Sequence, residues 1–139
     1  MTSSIQVAAA TKQAKSEATR VKIDAGSGPG RIDFYTSPRT AIDAAVTATL
    51  IASITLTDPC GTVDSTGLHL TSITPGQVVS AGLIAWGRVV DSDGHPVFSG
   101  TALQIDDPLV STAAFKLDKV DVLLGSFISL VQADLAEGG

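Results

Sequence analysis

Apolar and polar residues alternate along most of this chain, and one N-terminal stretch repeats its small apolar residues at a spacing near four. Residues 8–24 are rich in Ala, Lys, Gln and Glu and contain neither Gly nor Pro, which predicts a helix. Within it Ala10, Ala14, Ala18 and Val21 form a narrow stripe of small residues. Such a stripe permits close approach to another surface but supplies little apolar area, so the helix needs something to pack on. Its partner is either the chain's own sheet or another chain. The segment Asp24–Gly30, with three glycines and a proline, ends the helix.

Beyond it the period drops to two. Ile32 and Phe34 alternate with Asp33 and Tyr35 over Arg31–Thr36, and Leu50, Ala52, Ile54 and Leu56 alternate with Ile51, Ser53, Thr55 and Thr57. Leu68 and Leu70 do the same with His69 and Thr71. Val78–Val90 is apolar on both faces, with Gly82 and Gly87 predicted as bends or bulges, and Val97–Leu103 is its hairpin partner. Lys119–Gln132 predicts one long strand or two that bend at Gly125. The connections carry turn chemistry. Asp58-Pro59-Cys60-Gly61 suits a type I turn, Thr74-Pro75-Gly76 a type II turn, and Asp91-Ser92-Asp93-Gly94 a hairpin loop. Ser37–Thr47 lacks a period and reads as a loop long enough to cross between sheets.

Short strands punctuated this often predict a mainly β fold: a two-sheet sandwich, specifically a jelly roll, of about eight strands. Residues 1–24 form an N-terminal helical arm and 25–139 a single sandwich domain, which is expected to fold without the arm. A chain of 139 residues has room for one such core. The lone Cys60 rules out an internal disulfide and a multi-cysteine zinc site.

Charge divides the chain. Residues 1–24 carry Lys12, Lys15, Arg20 and Lys22 against Glu17 and Asp24, a net +2, and the other five basic and twelve acidic residues give −7. An acidic body has the wrong sign to neutralise phosphates, so no nucleic acid is expected as a partner. No apolar run is long enough for a membrane span, and the first residues lack a signal-peptide layout, so the chain is expected to be soluble and not exported.

The inventory of chemistry is thin. Gly26, Gly28 and Gly30 follow a helix and precede a strand, the reverse of a phosphate-binding loop, and read as a hinge. Asp91 and Asp93 begin like a calcium loop but lack the further oxygen ligands, so a hairpin turn is the better reading. The carboxylates of Asp106-Asp107-Pro108 and the Asp118/Asp121 pair fall at predicted strand ends and read as solvated turns. Neither His69 nor His95 has a nearby Cys or second His at ligand spacing, and Cys60 would need a distant His brought to it by the fold. Trp86 and Phe98 read as core residues, which leaves few aromatics to stack on bases or sugars. No catalytic residue, metal or cofactor is therefore expected, and the chain reads as a protein whose product is a surface.

Several of these blocks resemble a known family. They are Ile23-Asp24-Ala25-Gly26-Ser27-Gly28-Pro29-Gly30 running into Ile32-Asp33-Phe34-Tyr35-Thr36, then Leu56–Gly61, then Ala85–Gly94 and Phe98–Thr101. In this order, over most of residues 23–131, they resemble the capsid cement, or decoration, proteins of short-tailed temperate bacteriophages. That resemblance implies a jelly-roll protein on the outer capsid surface, made in the bacterial cytoplasm. It would bind the major capsid protein, dimerise at two-fold positions and clamp neighbouring capsomers. The alternatives are a tail or neck component and, behind it, a carbohydrate-binding adhesin. Ile5, Val7, Lys12, Lys15 and Arg20 in the basic arm are the candidate contacts to the capsid or the dimer mate.

Overall fold

The structure, a computed structural model, describes residues 9–42, 44–64, 67–72, 75–109 and 113–135. Among these residues it is mainly β with a single helix. The helix α1 spans Ala9–Ile23; the strands are β1 (Arg31–Tyr35), β2 (Leu50–Asp64), β3 (Gly67–Ser72), β4 (Gly76–Gln77), β5 (Gly82–Leu83), β6 (Trp86–Val90), β7 (Pro96–Gln104), β8 (Phe115–Leu117), β9 (Asp121–Val122), β10 (Phe127–Ile128) and β11 (Leu130–Leu135). Seven of them pair in the closed order β1-β2-β3-β11-β8-β7-β6, and β6 returns to β1. Every pairing in this ring is antiparallel except β7 with β8. Two short ribbons, β4–β10 and β5–β9, complete the sheet structure.

The period of two accounts for β1. Ile32 and Phe34 point inward, while Tyr35 and Trp86, directly paired across β1 and β6, share the other face. That outer face is covered as well. The described residues of the segment 36–49 fold back over it and cover Trp86 and Arg88, which are buried, as is Asp33. Arg88 donates to the carbonyls of Ala41 and Ala44 (3.0–3.3 Å), and the Trp86 indole N–H donates to Thr36 O at 2.8 Å. Tyr35 stacks on Trp86 with ring centroids 4.8 Å apart. The segment predicted to cross between sheets instead joins the hydrogen-bonded neighbours β1 and β2. Its reach is used to cap β6, because a buried guanidinium must find acceptors.

A second correction falls in β2. Asp58–Gly61 does not reverse the chain; Leu56 pairs with Ser72 and Gly61 with Leu70, so Thr57–Cys60 bulge opposite the single residue Thr71. The Asp58–Pro59 peptide is cis. Local composition favoured a turn, but a tertiary contact holds the bulge: the Cys60 N–H donates to Asp24 Oδ1 at 3.0 Å and its side chain is fully buried. Gly61 completes it, since a Cβ there would stand 2.0 Å from His69 O.

The apolar run 78–90 is divided rather than continuous. Val78 bridges Ala52, Gly82–Leu83 form β5, and β6 begins only at Trp86. Gly82 has a positive φ (+154°), but at Gly87 the ladder runs unbroken on both sides, so no bulge occurs there. Gly125 (φ +87°) separates β9 from β10, as the bent alternative predicted. Asp91–Gly94 form the β6–β7 hairpin loop. Thr74 of the predicted type II turn lies outside the described residues.

Helix α1 packs against β2, β3 and β7. Ile23 is fully buried and belongs to the same core cluster as Phe34, Leu56, Cys60, Leu68 and Phe115, so the last turn of the arm is part of the sheet domain's core. Gly30 permits this closeness, because a Cβ there would come 2.5 Å from Ile23 Cγ2.

Candidate functional site

The five residues expected to make contacts are placed unevenly. Ile5, Val7 and the side chain of Lys12 lie outside the described residues. Lys15 is exposed on α1. Arg20 is engaged within its own chain: its Nε donates to Glu17 at 2.8 Å and its Nη1 to Asp24 Oδ2 at 2.9 Å. Since Asp24 also receives the Cys60 N–H, Arg20 and Asp24 tie the end of α1 to the β2 bulge. Of the small-residue stripe, Ala14, Ala18 and Val21 face outward, and Ser16 and Ile23 form the buried side of the helix.

Alongside the stripe runs an open cleft of about 580 Å³ between α1 and the β6–β7 hairpin, walled by Ala18, Thr19, Lys22 and Ala25 on one side and Asp91, His95, Pro96 and Val97 on the other. Its volume falls within the range of small-ligand sites, about 300–1,000 Å³. At the hairpin rim, ligand-capable atoms of Asp91, Asp93 and His95 lie within 4.8 Å of one another, a juxtaposition that the Asp-x-Asp-x-His spacing carries and that the reading of His95 as isolated missed. These groups serve the turn. Asp91 Oδ1 accepts the N–H of Asp93 (3.0 Å) and of His95 (2.9 Å), and Oδ2 faces His95 Nδ1 at 3.0 Å. Burial acts to raise the Asp91 carboxyl, but the hydrogen bonds from His95 and Asp93 outweigh it and hold the group below the usual aspartate range. The glycine loop after α1 packs on this hairpin: Gly28 N–H donates to Ser92 Oγ at 3.2 Å, and a Cβ on Gly26 would overlap that hydroxyl. It is a packing surface, with the Gly28 amide turned toward Ser92.

Other candidate chemistry is absorbed in similar ways. Burial, with the negative charge of Asp24 second, pushes the Cys60 thiol up to about 12, which keeps it protonated and a poor nucleophile at neutral pH. Asp107 accepts Leu109 N–H at 2.8 Å within a turn, and Asp118 accepts Ser129 N–H at 2.8 Å, which ties the end of β8 to the segment that enters β11. His69, in contrast, gains partners that no local spacing reveals, Asp64 from β2 and Asp134 from β11.

The feature best suited to recognition is apolar. The segment 76–83 and the segment 121–128 are laced together by the β4–β10 and β5–β9 ribbons, with Val78 N–H donating to Ser126 O (2.8 Å) and Gly125 N–H to Val78 O (3.0 Å). On them Val79, Leu83, Leu123, Leu124 and Phe127 are all more than half exposed, with Leu123 at 74%. Scattered exposed aliphatics are ordinary, but five large ones on two interlaced segments make a candidate interaction surface. The adjacent pair Leu123-Leu124 before Gly125 was its visible sequence signal, which the reading of 119–132 as one long strand or two did not single out.

Compared with models of known protein families, with curated proteins and with solved structures, the chain shows no significant match to any.

Proposed function

We propose that this chain is a structural protein of a tailed-bacteriophage virion that binds the outside of the major capsid shell as a homodimer at two-fold positions and cements neighbouring capsomers. In this reading the closed strand ring is a flattened jelly-roll sandwich, and the protein's work is adhesion, with no catalytic step and no cofactor. The observation that carries the proposal is the exposed apolar corner formed by Val79, Leu83, Leu123, Leu124 and Phe127. Leaving such side chains in water is unfavourable, by roughly 25 cal/mol for each Å² of apolar surface a partner would cover. Support comes also from the resemblance of the turn and strand blocks to phage cement proteins. The candidate catalytic groups described above are occupied by turns, strand joints or burial, which favours a surface role over chemistry. Repetition of modest contacts over a shell sums to firm attachment.

The test is co-sedimentation of the purified protein with undecorated phage shells, followed by image reconstruction of the decorated particle. Density outside the shell at two-fold positions is expected, and Leu123→Ser with Leu124→Ser should weaken retention while leaving the unfolding transition in place. Density confined to a ring on the tail axis would assign the protein to the neck or tail instead, and no binding to any part of the particle would overturn the proposal.

A further inference from the structure

We propose that Asp64, His69 and Asp134 form a proton-operated clasp that holds the C-terminal strand β11 to β3 and so controls closure of the strand ring. Among the described residues, β3 and β11 pair in register at Asp134–His69 and Leu135–Leu68. The His69 side chain reinforces this joint and its neighbour, β2 with β3.

The side chains at that joint are charged and convergent. His69 Nδ1 lies 2.7 Å from Asp134 Oδ1, directly across the joint, and His69 Nε2 lies 3.0 Å from Asp64 Oδ1 on the opposite neighbour, β2. One ring thus bridges three consecutive strands. A neutral imidazole has one N–H and one lone pair, so it can satisfy only one of these carboxylates and turns a lone pair toward the other. The imidazolium donates to both. Among the described residues, Asp64 from β2 and Asp134 from β11 are charged groups that face the ring, and Gln132 of β11 donates to the far oxygen of Asp134, which fixes that carboxylate. The hydrogen bond to Asp134, then that to Asp64, hold His69 above its usual range.

The direction of the switch follows from linkage. A histidine raised in the folded state contributes fully below its unfolded value of about 6.5, and the contribution is lost as pH rises through the folded value. Alkaline conditions therefore loosen the joint, and β11 remains attached through β8. The freed margins of β3 and β11 would expose unpaired backbone groups able to accept another strand.

Two measurements on the intact chain test this. In an NMR titration, the His69 ring signal should titrate above about 6.5, the ordinary histidine value. In hydrogen exchange, corrected for intrinsic rates, protection at residues 67–70 and 130–135 should fall between pH 6 and pH 9 relative to β1 and β6. Each pH unit by which the His69 midpoint exceeds about 6.5 corresponds to up to a tenfold loss of relative protection. His69→Gln should remove the pH dependence. A His69 midpoint at or below 6.5, or relative protection at the joint that does not change with pH in the unmodified protein, would overturn the proposal without recourse to any variant.

Discussion

The ring of Phe34 fills the space that Gly87 leaves on the neighbouring strand: a Cβ on Gly87 would stand 2.9 Å from Phe34 Cε1 and 3.0 Å from its Cδ1. The two residues are register partners across β1 and β6, and Phe34 in turn meets Phe115 edge-on with centroids 5.7 Å apart. Phe115 stacks on Phe98 at 6.1 Å, so an absent side chain on β6 seats an aromatic cluster that reaches β7 and β8. Gly87 serves packing, and its backbone is ordinary strand.

Gly87→Ala is accordingly expected to destabilise the fold by about 1–3 kcal/mol through overpacking. Urea unfolding would show this as a lower midpoint with an unchanged slope. Phe34→Leu in the same chain should recover part of the loss, because the two positions share one space. A Gly87→Ala protein as stable as the parent would mean that the Phe34 ring can move aside freely.

Cys60 should resist thiol reagents in the folded protein at pH 8 and react promptly in denaturant, since its thiol is fully buried and pushed up to about 12. Cys60→Ser buries a hydroxyl in place of the thiol with the Asp24 carboxylate beside it as an acceptor, and is expected to cost about 1 kcal/mol. Rapid labelling under native conditions would show that the β2 bulge opens readily.

Asp91 makes the β6–β7 hairpin sensitive to acid. Its carboxyl is depressed in the fold, so the stability it adds is present above the unfolded value of about 3.9 and is lost as pH falls through the lower folded value. Asp91→Ala leaves the N–H groups of Asp93 and His95 without their acceptor and should cost about 1–2 kcal/mol at pH 7. The difference between parent and variant, measured by thermal unfolding, should shrink toward low pH. A constant difference from pH 7 to pH 2 would mean that the charge of Asp91 contributes nothing.

The N-terminal helix should prove inseparable from the sheet domain. Ile23→Ala is expected to cost about 2–5 kcal/mol, the range for emptying a fully buried aliphatic site. Removing residues 1–24 deletes the same side chain together with the Arg20–Asp24 tie to Cys60, and should lower the thermal midpoint at least as much, whereas exposed Lys15→Ala should leave it unchanged. A chain starting at Ala25 that unfolds at the parent's midpoint would separate the arm from the core.

What local sequence determines is visible in α1, in the alternation of Ile32 and Phe34, in the β6–β7 hairpin around Asp91–Gly94 and in the break at Gly125, because each depends on residues a few positions apart. Periodicity and turn chemistry are properties of neighbours, and they were sufficient for a mainly β chain with one helix. The bulge at Thr57–Cys60 was not legible, since a hydrogen bond from the Cys60 N–H to Asp24, thirty-six positions earlier, outweighs the turn preference of Asp-Pro-Cys-Gly. The same holds for Asp64, His69 and Asp134, separated by up to seventy positions and joined only when β11 lies beside β3. Nor could spacing along α1 say which side packs: Ala14, Ala18 and Val21 face outward while Ser16 and Ile23 are buried, and the small side chains of the stripe have little apolar area to bury. Ring closure, the apolar corner and the histidine clasp all arise from pairings between distant segments, and only the tertiary structure, where burial and hydrogen-bond satisfaction are settled for the whole chain at once, decides them.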